Sequence, residues 1–142
     1  MKIKRSIAII LLLGPLVMFS PACSILDAIT KPPVVNTAVI RSELDQLEVF
    51  IAGTYQGFTT IITRSEMGNM HGLIIREIEN LLNVATDSNG SPELLDGIGI
   101  LRETVDRHCR ERQSMEVPWS KQHAMNKTEI VEKLMNSLRK ML

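Results

Sequence analysis

The sequence predicts an all-α protein, a small four-helix bundle behind a cleaved signal peptide and a short proline-containing tether. Three observations carry that prediction. From Asn36 onward, apolar residues recur every three or four positions, as on one face of a helix. No stretch alternates apolar and polar residues long enough to form a strand. Capping residues and turn signals then divide the repeat into four pieces.

The N-terminus comes first. Met1-Lys2-Ile3-Lys4-Arg5 is a basic head, Ile7 to Phe19 an almost unbroken apolar run, and Ser20-Pro21-Ala22-Cys23 closes it with small residues and a cysteine. This order of segments is that of a secretory signal peptide spanning 1–22. About 13 apolar residues fall short of the roughly 20 needed to span a bilayer. Two cleavage chemistries are open. Ala22-Cys23 fits a bacterial lipoprotein signal, in which the Cys23 thiol takes a diacylglyceryl group and Ser24 favours the outer membrane. Ser20 stands where a large aliphatic residue is usual in such a signal. Ser20 and Ala22 equally satisfy ordinary signal peptidase, which would release a soluble periplasmic protein. Residues 23–35 then read as the tether of a lipid anchor, because Pro32-Pro33 excludes regular helix and favours an extended chain.

The helical domain spans 36–142. Ile40, Leu44, Leu47, Ile51, Thr54, Phe58 and Ile61 form the seam of the first helix, which Asn36 or Thr37 can cap. Met67, Ile74, Ile78, Leu81 and Ala85 make a second helix of about 17 residues whose beginning is blurred by Gly68 and Gly72. Asp87-Ser88-Asn89-Gly90 is a turn. Ser91 caps a third helix, with Pro92 at its first position and Glu93 at the positive end of the dipole. Leu94, Ile98, Leu101, Val105 and Cys109 form its core row. After Val117-Pro118-Trp119, Asn126 and Glu129 resemble a capping box opening a last helix through Val131, Leu134, Leu138 and Met141.

Composition bounds the function. Loss of 1–22 leaves 120 of the 142 residues, enough for one small core. Without Lys2, Lys4 and Arg5, 13 basic residues face 16 acidic ones, a net charge of −3 that excludes a nucleic-acid binder. The two cysteines, Cys23 and Cys109, are a candidate disulfide in an oxidising compartment if Cys23 is not acylated. The aromatics are few, one Trp, one Tyr and three Phe, so the core should be aliphatic.

Few residues suggest chemistry. Gly53-x-x-x-Gly57 sits mid-helix with Phe50 one turn earlier, and each glycine costs roughly 1 kcal/mol relative to alanine. Either another helix crosses there at close range, or the notch is a groove for a partner. Cys109 continues an apolar row and points about 100° away from His108, which denies the pair a nucleophile–base geometry. A periplasmic enzyme using Cys109 would need that thiol exposed and acidic. His71, His108 and His123 have no metal-ligand spacing and read as solvated or capping residues, with no metal or cofactor implied. Arg102, Arg107, Arg110 and Arg112, interleaved with Glu103, Asp106 and Glu111, read as an ion-paired solvated face through Glu103–Arg107 and Asp106–Arg110. Its alternative is an interface for an acidic partner. Trp119 is either a binding anchor or a plug for the bundle end. No catalytic motif is present, and no enzyme is expected.

Two resemblances bear on function. Phe50-Ile51-Ala52-Gly53-Thr54-Tyr55-Gln56-Gly57-Phe58, followed by the helix Leu101-Arg102-Glu103-Thr104-Val105-Asp106-Arg107-His108-Cys109-Arg110-Glu111, resembles small secreted all-helical proteins. That group includes periplasmic immunity proteins of the Tai/Rap type, which neutralise cell-wall-cleaving effectors. There the second cysteine pairs with one just before the glycine helix; this chain has none at that place, and only Cys23 remains. Leu47 to Gly53 followed by Arg64-Ser65-Glu66-Met67 resembles the first helix of type II secretion pilotins, helical outer-membrane lipoproteins that escort a secretin. Their cysteine before the arginine is replaced here by Ile62 or Thr63. The resulting expectation is a lipid-anchored envelope protein, pilotin-like or an assembly chaperone, binding an envelope protein through Phe50, Gly53, Gly57 and Trp119. The alternative is an immunity or inhibitor protein presenting Met115 to His123.

Overall fold

The structure, a computed structural model, describes residues 35–142; the signal peptide read over 1–22, Cys23 and the tether as far as residue 34 lie outside the described residues. Four helices follow one another: α1 (Thr37–Gly57), α2 (Arg64–Asp87), α3 (Pro92–Ser114) and α4 (Lys121–Lys140). There is no strand among the described residues. Each helix packs on the next and α4 returns to α1, so the four close a ring around one core. Short loops (58–63, 88–91 and 115–120) make neighbours antiparallel. No described helix is long and apolar enough to cross a membrane.

The helix starts follow from local chemistry. Asn36 accepts a hydrogen bond from the Val39 amide at 3.3 Å, and Ser91 one from Leu94 at 3.1 Å, each satisfying an otherwise orphan donor. Thr63 and Glu66 form a reciprocal capping box that starts α2 at Arg64. The box outweighs Gly68 and Gly72, so α2 runs 24 residues rather than about 17. The end of α2 is a Schellman motif. Asn89 takes the left-handed position (φ 58°), the Gly90 amide donates to Ala85 O at 2.7 Å and the Asn89 amide to Thr86 O at 3.1 Å.

Two boundaries differ from the sequence reading. The first helix ends at Gly57, and Ile61 lies in a loop, 93 % exposed, instead of continuing the seam. The last helix starts at Lys121, capped by Ser120, whose hydroxyl accepts from the His123 amide at 3.0 Å. Asn126 sits on the exposed face of that helix and accepts from Gln122. The capping-box pattern at 126–129 is therefore inside the helix. Its core row shifts accordingly: Ala124, Val131, Met135 and Leu138 are buried, Leu134 is half-buried and Met141 exposed.

Burial elsewhere follows the apolar rows. Ile40, Leu44, Leu47 and Ile51 meet Ile74, Ile78 and Leu81, and these meet Leu94, Ile98, Leu101 and Val105 in one aliphatic cluster. The close helix crossing is at Gly97. A Cβ there would lie 2.5 Å from Leu138 Cδ2, so α4 approaches α3 over the glycine. The bundle has two unlike ends. At one, Arg139 binds Asp45 at 2.8 Å and also Glu48, tying α4 to α1, while the Asn36 amide donates to Ser88 O. At the other lie both six-residue loops and the buried aromatics of the described residues, Tyr55, Phe58 and Trp119. Leu101→Ala should cost about 2–5 kcal/mol in a denaturant melt, because it empties fully buried volume between helices; a loss below about 0.5 kcal/mol would show that Leu101 contributes little to the core.

Candidate functional site

Buried polar groups organise the aromatic end. Arg112, near the end of α3, is only 2 % exposed. Its Nε donates to Phe58 O at 2.9 Å, Nη2 to Thr60 O at 3.3 Å and Nη1 to Met115 O at 3.5 Å. The Trp119 amide donates to the same Phe58 O at 3.0 Å. One guanidinium thus holds the loop after α1 to the loop after α3. Among the described residues no carboxylate lies within ion-pair distance of it. The partial negative charges of the α1 and α3 C-termini, roughly half an elementary charge each, are what offset the cation. Arg112 is therefore no part of a solvated arginine face, as its spacing implied. Arg102 pairs across to Glu79 at 2.9 Å and Arg110 with Asp106 at 2.8 Å, while Glu103 and Arg107 form no ion pair among the described residues.

Beneath Arg112 lies a ring cluster. Trp119, 2 % exposed, meets Tyr55, Phe58 and His123 edge to face at centroid distances of 5.4, 5.2 and 5.1 Å. It closes the bundle end and is not presented at the surface. The Tyr55 hydroxyl is hydrogen-bonded to His108 Nδ1 at 2.7 Å, bridging the diagonal between α1 and α3. His108 is buried, not solvated. Burial holds its imidazole near a pKa of about 4, helped by Lys127 and opposed by Glu111. Burial also raises the Tyr55 phenol, so both partners are neutral at pH 7. The Cys109 thiol beside them is fully buried and pushed up to about 12 by that burial. Such a thiol holds little thiolate at neutral pH. Cys23 lies outside the described residues.

His71 stands apart, on α2. Its Nε2 lies 2.7 Å from Asp106 Oδ1 and its Nδ1 3.1 Å from Gln113 Nε2, so both ring nitrogens are engaged. Burial raises Asp106, but hydrogen bonds from Arg110 and His71 outweigh it and hold the carboxyl low. No group of His, Cys, Asp or Glu among the described residues could hold a metal ion.

A groove of about 600 Å³ lies between α1 and α4. Ala52, Gln56 and Thr59 form one wall, and Gln122, Met125, Thr128 and Glu129 the other. The small side chains of Ala52 and Ala124 leave the room. Gly53 is exposed on α1 outside the groove lining, and a Cβ there would meet nothing within 4 Å among the described residues, so no described helix crosses it. Gly57 differs: a Cβ would come 3.0 Å from the Met70 methyl of α2. Phe50 is partly exposed on the opposite flank of α1, at a smaller hollow with Glu43, Gln46 and Glu77. None of the four sequence-derived binding residues lines the groove. Sequence reasoning missed the α4 wall, since Met125 and Glu129 were placed before or at the start of the last helix.

No protein-family model matches the chain, and neither a curated protein nor a solved structure matches it.

The pH dependence of stability follows from His108. Unfolded, the imidazole takes a proton near pH 6.5; folded, only near pH 4. The unfolded state binds more protons between these values, so the His108 contribution is unchanging above pH 6.5 and lowers stability as pH drops towards 4, by up to about 3 kcal/mol. Thermal melts from pH 7 to 4.5 should show this fall, and His108→Gln should flatten it; an equal slope in both proteins would assign it elsewhere.

Proposed function

We propose that this chain is a non-enzymatic protein of the bacterial envelope that works by binding another protein, in the manner of a pilotin or an assembly chaperone. The groove between α1 and α4 carries the reading. It has the dimensions and rigid helical walls suited to receiving an amphipathic helix of a partner. Ala52, Ala124 and Met125 offer apolar contact, and Glu129 and Glu132 at the rim favour a basic residue on the incoming helix. The short side chains of Ala52 and Ala124 let that helix lie close. The N-terminal signal and Cys23 support attachment to the outer membrane through acyl chains, at roughly 0.8 kcal/mol per buried methylene.

A second reading, the immunity or inhibitor protein, is favoured by Ile61 and Val117. They are 93 % and 63 % exposed on two loops that Arg112 fixes together. Rigid loops with apolar tips suit insertion into an enzyme cleft.

Site-specific photocrosslinking in cells separates these readings. Crosslinkers at Gln56 and Met125 should capture one envelope protein, while those at Ile61 and at Ile100 on the far face should not. Capture from Ile61 alone would move the assignment to the inhibitor. Gly53→Ala should stabilise the domain by about 1 kcal/mol in a denaturant melt, and Glu129→Arg, at the groove rim, should stay folded yet lose the crosslink from Gln56. The anchor has its own test: the non-reduced intact mass from the membrane fraction should carry acyl chains on Cys23. A soluble species two hydrogens light would instead indicate a Cys23–Cys109 bridge.

A further inference from the structure

The loop end of the bundle holds a second concavity of about 490 Å³, within the usual range of roughly 300–1,000 Å³ for small-ligand sites. Its walls are aliphatic or thioether: Ile61, Ile62, Met67, Met115, Val117 and Pro118. Arg112 lines it from within the bundle, and Arg64 and Glu116 are its other charged residues. The guanidinium has five N–H donors, and the three carbonyls Phe58 O, Thr60 O and Met115 O take three of them. Two N–H groups remain on a side chain that is 98 % removed from solvent and, among the described residues, has no carboxylate within ion-pair distance. The charge lining the hollow is thus net positive. Those three carbonyls face Arg112, so they are not presented to a ligand.

That combination selects a chemistry. A peptide terminus would bring backbone donors and acceptors that need partners, and these aliphatic walls supply none. A ligand with one anionic group and an otherwise apolar body leaves nothing unpaired. We propose that this hollow binds a long-chain aliphatic carboxylate, with its anion on Arg112 and its chain against Ile62, Met115 and Val117. Bidentate geometry between guanidinium and carboxylate suits the two remaining donors. Ile61 and Val117, exposed at the rim, would be covered by the chain.

The test is calorimetric titration of the purified protein with laurate, dodecanol, acetate and a short peptide ending in Val-Leu with a free carboxylate. Laurate should bind saturably at one site, dodecanol at least tenfold more weakly, and acetate and the peptide not measurably. Ile61→Asp changes a side chain that packs on nothing, so its melting curve should match wild type while laurate binding drops at least tenfold. Arg112→Lys, where it folds, should lose the preference for laurate over dodecanol. Equal binding of dodecanol and laurate, tighter binding of the peptide, absence of saturable laurate binding, or undiminished binding by Ile61→Asp would each overturn the proposal.

Discussion

The buried guanidinium of Arg112 is the constraint on which the rest of this bundle's loop end depends. Two parallel helices, α1 and α3, finish there across the diagonal of the bundle, and each leaves unsatisfied carbonyls pointing the same way. Capping by water would keep the end open and wet. A single planar cation reaches carbonyls of both loops instead, and the loops fold over it. Because Phe58 O accepts from Arg112 and from the Trp119 amide together, Trp119 is delivered over the core in the same act. A lysine, with one point charge and no fork, could not span three carbonyls in this way.

Below that end the core is built in two registers. Most of its length is aliphatic packing, which is tolerant of exchange between residues of similar volume. The upper part is specific: Tyr55 stacks on Phe58, and the other contacts among Tyr55, His108, Phe58, Trp119 and His123 are ring edges and one hydrogen bond. A polar pair in an otherwise apolar core is satisfied only when the helices align, so it fixes the relative height of α1 and α3 across the diagonal. The opposite end relies on exposed and half-exposed charges around Arg139, which salt screens.

Local signals made the helices legible in the sequence. Their number, the caps at Asn36 and Ser91, Pro92 at the first helical position and the row Leu94, Ile98, Leu101, Val105 and Cys109 all follow from spacing within a turn or two. What stayed hidden depends on distant neighbours. Arg112 reads as one of four surface arginines until the carbonyls of residues 58 and 60 are known. His108 reads as solvated until Tyr55 is placed beside it, more than fifty positions earlier. Two capping patterns, Ser120 and Asn126, compete within one apolar repeat, and burial of Trp119 and Ala124 decides between them. The mid-helix glycines drew attention to Gly53 and Gly57, whereas the tight approach falls on Gly97, whose role depends on Leu138 of another helix. Of the candidate groove, neither wall follows from the glycines: Ala52 and Gln56 carry no signal of their own, and the α4 wall requires the correct start of that helix.

The polarity of the bundle has a practical side. Asn36 and Arg139 both sit at the salt-bridged end, where α1 begins and α4 finishes, and the fixed loops face the other way. Anything grafted after Leu142, whether a fluorophore, an affinity handle or a whole domain, therefore leaves both the loop tips and the upper half of the α1–α4 groove clear. The same proximity makes a circularly permuted form practicable, with a short linker joining the old ends and a new start in the 88–91 turn.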